Sequence, residues 1–185
     1  MLTRLLLLLT LILSTQPAFA QSAPQTASTD PGRTPLSYSI EISISRNLLT
    51  LFAQNPGAEP VAVAEYPVGT VVRGLKTFPL GQGKVTAISL NPWWYPTEYS
   101  RQVFRGHGIE LPKAVPPGDP LNYMGAFKIS LSHKTWKGAI YRIHGNNDPR
   151  RVGRRVTGGC FVMGNSEGLE LAAKIKVGTL VNIVP

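Results

Sequence analysis

The chain has 185 residues, room for one domain with a tail. Nineteen Lys and Arg against ten Asp and Glu give a formal charge of +9, and a hydrophobic content of 43% excludes wholesale disorder. A single cysteine, Cys160, excludes an internal disulfide, a cysteine-rich zinc site and a CxxC redox pair; with only His107, His133 and His144 besides, no metal site is expected.

Residues 1–20 read as a secretory signal, with Arg4 as the positive start, a nine-residue apolar run over 5–13, and Ala18-Phe19-Ala20 as the cleavage site. That run falls well short of the roughly 20 residues a spanning helix needs. No membrane span is therefore expected after cleavage, and the periplasm or cell wall is the expected location. Residues 21–35, rich in Ser, Thr, Ala and Pro, read as a flexible lead-in, leaving 36–185 for the folded domain.

Ile40, Ile42 and Ile44 then alternate with Glu41 and Ser43, and residues 48–53 resume an apolar run after Arg46-Asn47, a hairpin signal. Further strands are predicted over 61–68, 84–90, 126–131, 139–143 and 180–184. One helix is predicted over 166–175, with Asn165 or Ser166 as its N-cap. Many short strands with Gly/Pro turns predict a mainly β sandwich or barrel with that one short helix. Residues 91–125 hold six prolines plus Gly106, Gly108, Gly118 and Gly125, so no regular structure is expected there. Interleaved aromatics favour a lid or substrate wall over disorder, with Trp94 a candidate wall residue. For the Trp93-Trp94-Tyr95 run, packing is favoured over stacking on sugar.

The chemistry-bearing residues lie near the C-terminus, in Tyr141-Arg142-Ile143-His144-Gly145 and Arg154-Arg155-Val156-Thr157-Gly158-Gly159-Cys160. A thiol attacks as the thiolate, and nearby imidazole or cations lower its pKa. His144 is a candidate base, and Arg142, Arg150, Arg151, Arg154 and Arg155 make the neighbourhood electropositive. Gly158-Gly159 offers bare backbone N–H groups for an oxyanion. The same residues equally describe a buried inert cysteine, a structural histidine and a solvated basic face. His133 reads as a surface histidine and Asp148 as a turn residue. The net charge alone would suit nucleic acid, but an exported chain without a nucleic-acid motif argues against that partner.

These residues resemble the L,D-transpeptidase (YkuD) catalytic domain, which remodels bacterial peptidoglycan. The family pattern is His-Gly, followed by Ser/Thr-His-Gly-Cys and an arginine two residues after the cysteine. Here His144-Gly145 and Thr157-Gly158-Gly159-Cys160 take those places, with base and nucleophile 16 positions apart. Asn147-Asp148-Pro149, Val177-Gly178-Thr179, Pro116-Pro117-Gly118 and the segment around Trp93-Trp94 resemble flanking segments, so the resemblance covers about residues 37–184. Two positions depart from the pattern: Gly158 replaces the motif histidine and Val162 the arginine.

The resemblance implies an L,D-transpeptidase-type β-sandwich or barrel with a long lid-like loop. It implies Cys160 as nucleophile, His144 as general base and acid, the Gly145 carbonyl as the group orienting His144, and the Gly159 N–H in the oxyanion hole. Substrate contacts would come from Arg154, Arg155, Thr157, Gly158, Tyr141 and Trp94, with His107 or the two arginines standing in for the lost motif side chains. Peptidoglycan peptide stems would serve as donor and acceptor in 3–3 or 1–3 crosslinks. The thioester intermediate needs no metal or organic cofactor, and carbapenems would inhibit covalently. An L,D-carboxypeptidase or D-amino-acid exchange enzyme, or a non-catalytic peptidoglycan scaffold, are the alternatives.

Overall fold

The computed structural model describes residues 36–74, 78, 80–134 and 140–185. The predicted signal and lead-in, and Ala139 at the start of one predicted strand, lie outside the described residues. The alternating isoleucines form β1 (Ser37–Ser43), which pairs antiparallel with β2 (Leu48–Gln54). Their turn uses Asn47 in a left-handed conformation (φ 50°), which Asn adopts more readily than most residues. The strands β3 (Val61–Pro67), β4 (Thr70–Val71), β5 (Gly81–Leu90), β6 (Phe127–Lys134), β7 (Ile140–His144), β8 (Arg155–Thr157), β9 (Phe161–Val162) and β10 (Leu180–Val184) follow.

Eight of them form one curled mixed sheet in the order β3-β2-β1-β10-β5-β6-β7-β9, and β4 pairs in parallel with β8. The parallel pairing of β1 with β10, Ile40 opposite Val181, joins the two ends of the domain. Because the sheet curls, Ile40, Ile42 and Leu51 from one half meet Phe127, Ile129 and Phe161 from the other in a single core. This two-layered β architecture is the fold class that the strand pattern predicts.

The structure differs from the sequence reading in four places. A second helix, α1 (Glu98–Gly106), lies inside the segment expected to be irregular. The six prolines are clustered at its flanks, leaving 97–111 free of proline, and Thr97 caps the helix by accepting from Ser100 N at 3.1 Å. The predicted C-terminal helix is α2 (Asn165–Lys174), but Gly164 is its N-cap and makes no side-chain capping bond. His133 is not a surface residue: it continues the inward alternation of β6 and its Nε2 contacts Gly81 O at 3.0 Å. The short strands β4, β8 and β9 carry too few residues to show a period.

Helix α2 lies on β6 through Gly168, where an added Cβ would run into the Phe127 ring. In an open helix, Gly→Ala stabilises by up to about 1 kcal/mol. Gly168→Ala should instead destabilise by about 1–3 kcal/mol, because Phe127 is fully buried and cannot yield. Denaturant unfolding checks the sign.

Candidate active site

The site is set by a parallel pairing at the sheet edge. Ile143 of β7 lies opposite Phe161 of β9, and His144 opposite Val162. Carried back one residue, this register brings Arg142 beside Cys160. Side chains alternate along each strand, so Arg142, His144, Cys160 and Val162 share one face. Ile143 and Phe161 point the other way, into the core. On its far side β9 is held by Gly69, whose N–H donates to Val162 O at 2.6 Å and whose carbonyl accepts from Val162 N at 2.9 Å.

His144 is buried, and its Nδ1 donates to Gly145 O at 2.7 Å. That bond places the neutral ring's lone pair on Nε2. Burial pulls the His144 pKa down from 6.5 to about 4, with Arg151 and Arg142 adding to the effect and the Gly145 and Tyr123 carbonyls opposing it. The ring is therefore neutral across the physiological range.

The Gly145 carbonyl is itself anchored. Asn165 Oδ1 accepts from Ala126 N at 3.0 Å and from Asn146 N at 3.1 Å, while its Nδ2 donates to Asn146 O at 2.9 Å. Asn146 in turn donates to Met163 O at 2.6 Å. Any side chain at position 145 would strike Asn165 Oδ1, which explains the glycine there. In sequence Asn165 reads as a helix cap, and only the fold reveals it as a clamp on the His144 loop.

Cys160 is half-buried. Burial of its thiol raises the pKa, and the favourable influence of Arg142, through its charge and hydrogen bonds, and of the Arg151 charge does not overcome it. The neighbouring cations thus act in the expected direction, and desolvation outweighs them. Thr157 Oγ1 shapes the turn before the sulfur, donating to Cys160 O at 2.7 Å and accepting from Gly159 N at 3.2 Å. The Gly159 N–H, read from sequence as an oxyanion donor, is therefore occupied. Gly159 has φ 145°, and a Cβ there would press on the Tyr141 ring at 3.1 Å. Gly158 faces open space, with nothing within 4 Å of an added Cβ.

A family model for the L,D-transpeptidase catalytic domain (YkuD) matches residues 37–183. The chain belongs to the L,D-transpeptidase family. It is 36% identical over 139 residues to the probable L,D-transpeptidase YcfS of Escherichia coli K12, covering 74% of this chain and 41% of that one. It is also 29% identical over 151 residues to the Bacillus licheniformis protein named YkuD, covering 78% of each. Among solved structures the fold is similar to Bd1075 of Bdellovibrio bacteriovorus (TM-score 0.55, 18% identity, 85% of this chain and 50% of that one). It is similar as well to L,D-transpeptidase 3 of Mycobacterium tuberculosis (TM-score 0.52, 13% identity, 81% and 62%). The chain thus spans less than two thirds of YcfS and of both solved structures.

Within this L,D-transpeptidase domain the structure does not gather every residue singled out from sequence. Trp94 is buried in a cluster with Phe104 and Tyr123, ring centroids 6.2 and 5.2 Å away, and so packs the lid down instead of lining a wall. The aromatics that reach solvent are Trp93 (51% exposed), Tyr95 (69%) and Tyr99 (72%). Tyr141 is a core residue that backs Gly159 and does not line the open side. Arg155 Nη2 donates to Ile44 O at 3.3 Å, and Arg154 and His107 are exposed. The cations that act on both Cys160 and His144 are Arg142 and Arg151. Among the described residues no cluster of three His, Cys, Asp or Glu could hold a metal.

Two measurements follow from this geometry. The unfolded chain protonates His144 below about pH 6.5, whereas the folded chain does so only near 4. Stability should therefore fall as pH drops through that window, by about 3 kcal/mol in all. His144→Gln should remove this part of the slope in pH-dependent melting curves. Asn165→Ala should cost about 3 kcal/mol in denaturant unfolding, since it strips partners from two backbone N–H groups and a carbonyl.

Proposed function

We propose that the chain is a peptidoglycan L,D-transpeptidase working through a cysteinyl thioester on Cys160. The observation that carries this reading is the register of β7 with β9, which sets the thiol diagonally across from a neutral His144 pinned through Nδ1. With the thiol pKa raised and the imidazole pKa lowered, the resting pair is uncharged. His144 then acts as a general base during attack, not as half of a preformed ion pair.

In this reading Cys160 Sγ attacks the carbonyl carbon of the third stem residue, and the thiol proton passes to His144 Nε2. The amide C–N bond breaks, the terminal D-alanine leaves with that proton on its amine, and the acyl group stays on sulfur. An amine of a second stem attacks the thioester, His144 takes its proton, and the sulfur departs as the thiol. The oxyanion falls to the N–H groups of Cys160 and Gly158, since that of Gly159 is engaged by Thr157. Thioester energy drives the second step, so no organic cofactor or metal enters the reading.

The predicted secretory signal supports placement in the periplasm or cell wall, where such stems occur. Donor and acceptor residues fit a 3–3 crosslink, with a 1–3 crosslink the variant that the altered motif permits. The M. tuberculosis L,D-transpeptidase 3 solved with a faropenem-derived adduct shares this fold at TM-score 0.52, which supports binding of carbapenems and related β-lactams; in this reading they acylate Cys160. A second reading draws on the open space at Gly158. Water or a free D-amino acid reaching the thioester there would make the protein a carboxypeptidase or an exchange enzyme.

Incubation of the purified chain with disaccharide-tetrapeptide, followed by mass spectrometry, should yield crosslinked dimers that vanish in Cys160→Ala. Trimmed or exchanged monomers alone would favour the second reading. Neither product, with binding to sacculi retained, would mean a scaffold and overturn both.

A further inference from the structure

The geometry points to Arg151 as the anchor for a carboxylate of the donor stem, a role that rests on the transpeptidase reading above. Arg151 closes a short turn, Pro149–Arg151, whose Arg150 N–H is capped by the Asp148 side chain. That aspartate is fully committed to the neighbouring arginine: Asp148 Oδ1 accepts from Arg150 N at 3.1 Å and Arg150 Nε at 2.8 Å, and its Oδ2 from Arg150 Nη2 at 3.1 Å. Arg151 is left without an acidic partner among the described residues.

Its backbone is fixed against Gly69, where any Cβ would strike the Arg151 carbonyl. Its guanidinium carbon sits 4.9 Å from the centroid of the Tyr123 ring. Tyr123 is itself locked edge-to-face on Phe104, 5.2 Å away, and tilted against Trp94. A guanidinium held by its face on an aromatic ring keeps its N–H edge available for a planar two-oxygen partner. Arg151 Nη1 is nevertheless buried and hydrogen-bonded to nothing among the described residues. An unpaired buried donor of a charged group is costly, so it marks a place where a ligand atom belongs. Arg151 is tied to the site by packing, since its carbonyl and the Val162 side chain crowd the same face of Gly69 and Val162 lies opposite His144; its charge accordingly acts on both His144 and Cys160. A carboxylate is the ligand whose charge and geometry satisfy it. The family's motif arginine is Val162 here, fully buried and apolar; Arg151, which meets Val162 around Gly69, brings a cation to the same neighbourhood.

The free tetrapeptide stem offers three carboxylates: on the γ-linked second residue, on the side chain of the diamino-acid third residue, and on the terminal D-alanine. Calorimetric titration of the stem into the Cys160→Ala chain, and into the same chain carrying Arg151→Gln, tests the assignment. Arg151→Gln should weaken binding about 10- to 100-fold. Singly amidated stems identify the contact: amidation of one carboxylate should weaken binding to the Arg151 chain by a similar factor and have no further effect in Arg151→Gln. Arg151→Lys should recover only part of the loss, because a point charge cannot make the two-pronged contact. Thermal melting of each variant separates misfolding from lost binding. Equal affinity of the two chains, or losses on amidation that are the same with and without Arg151, would overturn the anchor while leaving the transpeptidase reading intact if the unmutated chain still forms dimers. No stem binding and no dimers would sink both.

Discussion

Two residues of strand, Phe161 and Val162, hold Cys160 against the strand that ends in His144. A pairing this short would not persist by itself, and here it is clamped on both sides. The Gly69 N–H and carbonyl bond Val162 on one flank, and Met163 N donates to His144 O at 2.9 Å on the other. Phe161 then drives into the core, so β9 cannot slip by one residue without exchanging its buried and site-facing side chains. Register is therefore the constraint on which the chemistry depends. Gly69 occurs there because the Arg151 backbone leaves no room for a Cβ, and so the clamp on β9 and the seat of Arg151 are one packing arrangement.

Burial does the electrostatic work that charge alone would do in an open site. His144 is buried beside the apolar Val162, so its charged form is disfavoured. Cys160 is subject to the same desolvation in the opposite chemical sense, which keeps it protonated. Arg142, alongside the sulfur, favours the thiolate and disfavours a proton on His144, and in the proposed mechanism that influence acts as the thiolate develops.

How much of this was legible beforehand depends on the length of each signal. The isoleucine alternation of β1 spans several residues, and both its existence and its inward face follow directly from period two. The two-residue β9, by contrast, has no period, and its pairing rests on contacts with Gly69 and β7 that are remote in sequence. Helix α1 was hidden because prolines counted over the whole lid obscured the proline-free window that Thr97 initiates. The segments carrying His144 and Cys160 stood out by motif and spacing, and the register of β7 with β9 sets them side by side. The role of Asn165 was not, since an asparagine before a helix has a simpler local use. Similarly, counting arginines located the positive region without showing which guanidinium faces the site. Arg155 spends its donor on the Ile44 carbonyl and Arg150 on Asp148, distinctions that only three-dimensional packing makes.

The two departures from the family pattern have a common consequence. An arginine at position 162 would sit beside His144 in a fully buried place bounded by the Gly69 backbone, where its charge would need a partner or an exit to solvent. Valine removes that demand and gives His144 an apolar neighbour. Glycine at 158 removes a side chain two residues before the sulfur, at a place where nothing lies within 4 Å of an added Cβ. In the proposed reading polar recognition then falls to Arg151, whose guanidinium rests on Tyr123 within the Trp94, Phe104 and Tyr123 cluster. The packing of that aromatic cluster is what sets Arg151 apart from the other arginines of the basic segment, because it holds the guanidinium on the Tyr123 ring.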